Sequence, residues 1–151
     1  MSAERDKMVA ALREHVVPVL RARGFTGSFP HFRRRTDTAI HLIVFQFHRR
    51  GGAFCVEVAS CPPDGLETLP GRHIPPSKVQ AWDVHPSLRP RLGSTATKDH
   101  WFKFRGFLAL NSCSRAARAV LPLLDAQAEE WWSRPVQGFV PYQKPPLNHD
   151  S

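Results

Sequence analysis

Four polar side chains near the middle of the chain have types and spacings that suit chemistry on a shared surface. Gln46 and His48 precede the glycine pair Gly51-Gly52, and Cys55 and Glu57 follow it. A two-residue turn at the glycine pair predicts that His48 opposes Cys55 and that Gln46 opposes Glu57 on adjacent strands. A histidine with a glutamate can act in general acid–base catalysis, and a histidine beside a cysteine can activate it as a nucleophile.

The same predicted sheet face receives polar residues from elsewhere in the chain. We expect eight residues to form a binding site there: Arg33, Arg35, Gln46, His48, Glu57, Arg91, Asp99 and Trp101. A structural interpretation is the alternative. An unpaired buried charge is costly, so Glu57 and Arg91 would pair and anchor a long loop. General acid–base catalysis by Glu57 and His48 is a third interpretation.

Eight histidines and three cysteines invite a metal hypothesis. His41 and His48 lie on one predicted strand, seven residues apart, so their side chains point to opposite faces. No third ligand is identifiable beside His48 and Cys55, and three cysteines cannot form a four-cysteine zinc site. The sequence also lacks a nucleophile-elbow motif and a phosphate-binding glycine loop. We therefore expect neither a metal nor a cofactor.

The chain of 151 residues is basic, with a formal net charge of +8. Its first 50 residues carry ten Lys and Arg against four Asp and Glu, so most of the excess charge lies in this third. A basic surface attracts nucleic acid, an acidic protein or an anionic ligand. No apolar run is long enough to span a membrane, and the charged N-terminus has no apolar signal core. We expect a cytoplasmic protein with no membrane segment.

Periodicity indicates the elements that would position the candidate site. An apolar residue recurs at every fourth position from Met8 to Leu20, which predicts a helix over residues 3–23. Pro18 lies inside this pattern and should kink the helix near Glu14 or split it.

Residues 31–60 alternate between apolar and polar types and contain two turn signals, Asp37-Thr38 and Gly51-Gly52. They predict a three-stranded antiparallel meander. Both turns place the same residues on a core face: Phe32, Ile43, Phe45, Phe47, Phe54, Val56 and Val58. The arginine clusters at 33–35 and 49–50 lie at opposite ends of this meander, about 30 Å apart, so they do not form one nucleic-acid-binding patch.

Seven of the 14 prolines lie between Pro62 and Pro90, which excludes a long helix or a central strand from residues 61–98. This long loop segment contains apolar residues, so we expect it to pack on the apolar part of the second sheet face: Ile40, Leu42 and Val44.

A short fourth strand is predicted from Asp99 to Phe104, and a helix from Asn111 or Ser112 to Ser133. Pro122 disturbs this helix, whose apolar stripe is Ala116, Val120, Leu124, Ala128 and Trp131. The expected fold class is α+β: an antiparallel β-meander of three to five strands with N- and C-terminal helices packed on one face. We expect one domain over residues 1–133 and an extended or disordered tail over 134–151.

Six short motifs, in this order and spacing, make the chain similar to a known family. They are VVPVLRARGF from Val16, FRRR before the first turn, IVFQF from Ile43, RLG from Arg91, DHWF from Asp99 and AEEWW from Ala128. The chain resembles the bacterial domain of unknown function family 4304 over roughly residues 5–133. His100, between the aspartate and the two aromatics, departs from the family pattern. The resemblance implies an α+β fold and a small soluble bacterial protein, and it implies no activity.

Three functions remain open at this point. The first is a non-enzymatic protein-binding module of adaptor or immunity type, which at this charge needs an acidic surface on its partner. The second is nucleic-acid binding through the basic N-terminal third. The third is an enzyme with a site on the open sheet face.

Overall fold

The structure, a computed structural model, describes residues 2–69, 71–105, 112–136 and 142–146. Its helices and strands are, in chain order, α1 (Ala3–His15), α2 (Val17–Ala22), β1 (Thr26–Ser28), β2 (His31–Arg35), β3 (Ile40–Phe47), β4 (Ala53–Cys61), β5 (Leu66–Thr68), β6 (Arg72–Ile74), β7 (Phe102–Lys103), α3 (Ser112–Leu123) and α4 (Glu129–Ser133). Five strands form one antiparallel sheet in the order β1-β2-β3-β4-β7, and β5 pairs with β6 in a separate hairpin. The predicted α+β class is confirmed.

The first helix is split where the proline predicts. α1 ends at His15 and α2 begins at Val17, so Pro18 stands in the first turn of α2, where its missing N–H is not needed. The Oγ atom of Ser2 accepts a hydrogen bond from the Arg5 backbone N–H at 3.1 Å and caps α1.

Pro122 also disturbs the C-terminal helix, and one predicted core residue there is wrong. A π-helical turn, Leu124–Ala128, follows Pro122 and joins α3 to α4. A π-turn contains extra residues per turn, so the buried position moves from Trp131 to Trp132, which is 3% exposed. The predicted cap Asn111 lies outside the described residues, as do 137–141 and 147–151 of the predicted tail.

The Phe-rich face of the sheet is the main core, as the alternation predicts. Phe32, Ile43, Phe45, Phe54, Val56 and Val58 are buried there, and Phe47 packs against their edge. Buried residues of α1 and α3 cover them, among them Met8, Leu12, Ala117 and Val120. The first hairpin has the predicted register, with Arg35 opposite Ile40 and Phe32 opposite Ile43. Strand β1 was not predicted, because Thr26–Ser28 has no apolar alternation.

The predicted register of the second hairpin is wrong by two residues. Gln46 lies opposite Cys55, Glu57 lies opposite Val44, and the His48 N–H donates to the Ala53 carbonyl. The connection is a four-residue loop, 49–52, because a tight turn begins at His48, whose Nδ1 accepts the Arg50 N–H at 3.1 Å. A shift of two residues keeps every side chain on its predicted face, so the core face is right although the pairs are not.

The Pro-rich segment packs on the second sheet face, as predicted. Val79, Ala81 and Val84 from this segment are buried against Ile40, Leu42 and Val44. The segment contains β5, β6 and two short 3-10 turns, Ala81–Asp83 and Pro86–Leu88. The apolar part of the second face is therefore covered rather than open.

The free side of β4 is occupied by two short pieces of chain. Pro90 to Leu92 run beside it, with hydrogen bonds from Val58 N–H to the Pro90 carbonyl and from Leu92 N–H to the Val56 carbonyl. Residues 93–101 then leave the sheet, and β7 returns to pair with Ala53 and Phe54. The predicted fourth strand is thus confined to Phe102–Lys103. Among the described ranges, none of the helices is long and apolar enough to cross a bilayer.

Candidate functional site

Glu57 is the buried charge at the centre of the second face. Its side chain is 7% exposed and lies between two guanidinium groups. The Arg89 Nε is 3.5 Å and the Arg91 Nε is 3.6 Å from the Glu57 Oε2. Since both arginines come from the end of the Pro-rich segment, this cluster fastens the segment to β4.

A chain of side-chain contacts leads from this cluster to the surface. The Arg91 Nη1 donates to Asp99 Oδ2 at 2.6 Å, and the Arg91 guanidinium lies 4.9 Å from the centre of the Trp101 ring. His48 packs edge-on against Trp101, with 4.7 Å between ring centres. Glu57, Arg91, Asp99, Trp101 and His48 are therefore one contiguous group, and all five are among the predicted site residues.

The remaining three predicted site residues lie elsewhere. Arg33 donates from Nε to the Val79 carbonyl at 3.0 Å, and Arg35 donates from Nε to the Pro63 carbonyl at 2.8 Å. Both arginines hold the Pro-rich segment against β2. Gln46 lies opposite Cys55 rather than Glu57 because of the register shift, and it lines a cavity beside Trp82 and the segment 142–146.

The loop 93–101 is held in shape by its own polar contacts. Asp99 Oδ1 accepts from the Ser94 hydroxyl at 3.0 Å, and the Ser94 Oγ accepts from the His100 N–H at 2.9 Å. Gly93 has a φ of 86°, and its N–H donates to the Gln127 Oε1 at 2.6 Å. A β-carbon at this position would lie 2.5 Å from the His100 ring. The loop is therefore a fixed element that carries Trp101 to the sheet edge.

An open groove runs between this loop and α3, and we call it the basic groove. Its volume is about 550 Å³, and it is lined by Lys98, Asp99, His100, Trp101, Phe102, Lys103, Arg115, Ala116 and Ala119. Lys98, Lys103 and Arg115 are exposed, and in the described part of the chain none of the three has an ion-pair partner. The groove's one carboxylate, Asp99, is already paired with Arg91 at 2.6 Å.

Sequence reasoning missed four residues of this region. Arg89 stands two positions before Arg91, and this spacing on an extended chain was a signal that both could reach one carboxylate. Lys98 and Lys103 flank the DHWF motif, but nothing in the local sequence connects them with Arg115 on α3. Only the packing of the loop against the helix brings these three cations together.

The two buried cysteines have little nucleophilic character. Burial raises the pKa of Cys55 to about 12 against the opposing charge of Arg91, and burial raises that of Cys61 to about 12 as well. A thiol with such a pKa is protonated near neutral pH and is a poor nucleophile. Among the described residues, no three His, Cys, Asp or Glu side chains cluster closely enough to hold a metal ion.

Several arginines of the basic N-terminal third make intramolecular ion pairs and hydrogen bonds. The Arg34 guanidinium binds Glu129 through two nitrogens, at 3.2 and 2.9 Å, and Arg23 pairs with Asp125 at 2.7 Å. Arg21 donates to the Gly27 carbonyl at 2.5 Å. Together with Arg33 and Arg35, these side chains hold strands, helices and loops to one another.

Comparison with protein families gives a match over residues 16–134, most of the chain, to DUF4304, a domain of unknown function. The chain belongs to the DUF4304 family. The resemblance that the six motifs indicate is thereby confirmed. No curated protein and no solved structure matches the chain. In this DUF4304 chain, the matched range includes Glu57, Arg91, the loop 93–101 and the helical wall of the basic groove, and the segment 142–146 follows it.

Proposed function

We propose that the protein is a non-enzymatic binding module that takes an acidic, extended segment of another protein into the basic groove. The observation that carries this proposal is that Lys98, Lys103, Arg115 and Trp101 line one groove, in which the one carboxylate among the described lining residues, Asp99, is already paired with Arg91. Unpaired cations beside an aromatic ring attract carboxylates and supply a flat apolar contact at the same site. An adaptor or immunity-type protein would use such a surface.

The position of β7 supports an extended ligand. β7 is one of the two edge strands of the sheet, and its outer side has no strand partner among the described residues. An unpaired sheet edge presents backbone N–H and carbonyl groups to which an incoming strand can add. Lys103 lies in β7 itself, and Trp101 directly precedes that strand.

The surroundings of the predicted catalytic candidates favour binding over catalysis. Glu57 lies between two guanidinium groups, and Cys55 is buried with a raised pKa. The basic groove is lined by neither residue. Nucleic-acid binding through the N-terminal third has less support, because five of the arginines there, Arg21, Arg23, Arg33, Arg34 and Arg35, make contacts that hold the fold together.

The proposal is tested by fluorescence anisotropy with two labelled probes of equal net charge, a peptide that alternates glutamate and valine, and an oligothymidylate. We expect the peptide to bind more tightly. The triple variant Lys98→Glu, Lys103→Glu, Arg115→Glu should lose about tenfold in affinity, since three exposed ion pairs contribute roughly 0.5 kcal/mol each.

The matched control carries the same change of net charge on other surfaces: Arg13→Glu, Arg72→Glu and Lys78→Glu, at exposed positions of α1, β6 and the Pro-rich segment, none of which lines the basic groove. This control should bind the peptide within about twofold of the wild-type protein, because its three positions do not line the groove and salt screens exposed charges that a bound peptide does not contact. Equal losses in the two triple variants would show a non-specific charge effect and overturn the proposal. Tighter binding of the oligothymidylate would replace it with nucleic-acid binding.

A further inference from the structure

A second surface of the molecule is occupied by the chain's own C-terminal segment. Residues 142–146, with the sequence Tyr-Gln-Lys-Pro-Pro, lie across the Pro-rich segment on the second-face side of the sheet. Their immediate surroundings are Gln46, Trp82, Asp83, His85 and Arg89, which we call the tail groove.

One ion pair and one ring contact hold this segment in place. The Lys144 Nζ is 3.3 Å from the Asp83 Oδ1. Tyr142 packs edge-on against His85, with 5.5 Å between ring centres. In the part of the chain that the structure describes, no hydrogen bond ties 142–146 to the rest of the molecule. A segment with so few contacts can be displaced by a competitor of the same chemistry.

Asp83 makes the tail groove selective for a cation. Asp83 is 8% exposed, and its Oδ2 accepts the Gln80 backbone N–H at 2.8 Å. A buried carboxylate is destabilised without a counter-charge, and among the described residues Lys144 is the cation that pairs with Asp83. If the C-terminal segment leaves, Asp83 needs another ammonium or guanidinium group.

Trp82 and the empty space around the segment suit proline. Trp82 is held edge-on by His31, with 4.8 Å between ring centres, and lines a cavity of about 240 Å³ with Pro145 and Pro146. Proline fixes its own φ and keeps the preceding residue extended. A Lys-Pro-Pro segment therefore reaches an aromatic groove already close to its bound shape, with little entropy to lose.

We propose that the tail groove is a recognition site for a proline-rich segment of a partner protein that carries a lysine, and that residues 142–146 occupy it as a displaceable intramolecular ligand. This site is separate from the basic groove and takes a ligand of opposite charge. Failure of one proposal therefore leaves the other standing. The tethered segment competes at an effective concentration in the millimolar range, which lowers the apparent affinity for the partner until the segment is released.

The test uses the full chain and the synthetic peptide Pro-Tyr-Gln-Lys-Pro-Pro, titrated by calorimetry. Lys144→Glu places a second negative charge opposite Asp83 and should release the segment. We expect this variant to bind the peptide about tenfold more tightly than the wild-type protein. The control Lys7→Glu makes the same charge change on α1 and should bind as the wild-type protein does.

A second peptide keeps the test independent of how any variant folds. Replacing the lysine of the peptide by alanine should weaken binding to the Lys144→Glu variant at least about fivefold, because Asp83 then lacks its cation. Equal binding of both peptides, or no binding to the released variant, would overturn the proposal. So would a wild-type dimer in light scattering that Lys144→Glu abolishes, since the occupant would then be the tail of a second copy.

Discussion

Arg91 lies directly opposite Glu57 across an isolated antiparallel β-bridge, and its Nε is 3.6 Å from the Glu57 carboxylate. The backbone bridge and the side-chain ion pair therefore join the same two residues. They join the end of the Pro-rich segment to β4, and the loop that carries Trp101 begins directly afterwards. The position of the basic groove thus depends on a buried ion pair.

Removing the buried carboxylate should destabilise the protein strongly. Glu57→Gln leaves Arg89 without its counter-charge and keeps the volume of the side chain. Breaking a buried pair by removing one partner costs about 3 kcal/mol or more, and we expect that decrease in the free energy of unfolding by urea denaturation. The control Asp64→Asn removes an ion pair with Arg35 at the surface, where the Asp64 side chain is 93% exposed. Asp64→Asn should change the free energy of unfolding by less than about 0.5 kcal/mol. Equal effects would show that Glu57 is not an anchor.

The two adjacent tryptophans should differ in their contribution to stability. The Trp132 Nε1 donates to the Leu42 carbonyl at 3.3 Å and to the Ala59 carbonyl at 3.1 Å, on the adjacent strands β3 and β4. Trp132→Phe removes this buried donor and should lower the free energy of unfolding by about 1–3 kcal/mol.

Trp131→Phe is the matched control for that change. Trp131 is only partly buried, and its ring faces the Arg134 guanidinium at 5.0 Å. Chemical denaturation should show a loss below about 1 kcal/mol. A larger loss at Trp131 than at Trp132 would contradict the position of the buried stripe after the π-turn.

Two glycines allow the cost of a left-handed backbone to be measured separately from the cost of a side-chain clash. Gly93 and Gly71 have similar positive φ values, 86° and 96°. A β-carbon at Gly93 would meet the His100 ring at 2.5 Å, whereas at Gly71 it would meet no atom of the described residues within 4 Å. Both alanine variants carry the left-handed backbone penalty of about 1–2 kcal/mol.

The difference between Gly93→Ala and Gly71→Ala should therefore measure the displacement of His100. We expect Gly93→Ala to be less stable by at least about a further 1 kcal/mol, measured as the difference between the two urea unfolding curves. Identical unfolding midpoints would mean that His100 moves away at no cost and that the loop 93–101 is not fixed.

The stability of the protein should depend on pH through His31. Burial is the main reason that the pKa of His31 is lowered from 6.5 to about 4, with Lys144 and Arg33 adding to the effect and Asp83 opposing it. The folded state disfavours the charged imidazole. The contribution of His31 to the free energy of unfolding is therefore complete above a pH of about 6.5 and is lost as the pH falls towards about 4.

Replacing the imidazole tests this dependence. In His31→Asn the free energy of unfolding should fall less steeply than in the wild-type protein when urea denaturation is repeated at decreasing pH below 6.5. The pKa of His41 is lowered by burial and by Arg34, so His41 also lowers the free energy of unfolding as the pH falls, in both proteins alike. Parallel pH profiles of the two proteins would contradict the assignment to His31.

The amino-acid sequence by itself determined the faces of the sheet, the split of the first helix and the cover on the second face. These follow from local rules: the period of two in a strand, the geometry of proline, and the need of apolar side chains to leave water. These local rules did not predict the register of the second hairpin. The His48 ring accepts the Arg50 N–H and favours a longer loop than the glycine pair suggests.

The candidate site was determined only in part. Glu57 and Arg91 were recognisable because a carboxylate on a covered face needs a cation. Their connection to Asp99, Trp101 and His48 depends on where the loop 93–101 leaves the sheet. The basic groove depends on tertiary structure alone, because Arg115 on α3 is remote in sequence from Lys98 and Lys103. The tail groove likewise needs Lys144 to meet Asp83 across some sixty residues of chain. Long-range pairs of this kind leave no periodic signal in the sequence, since packing sets them and no local backbone rule does.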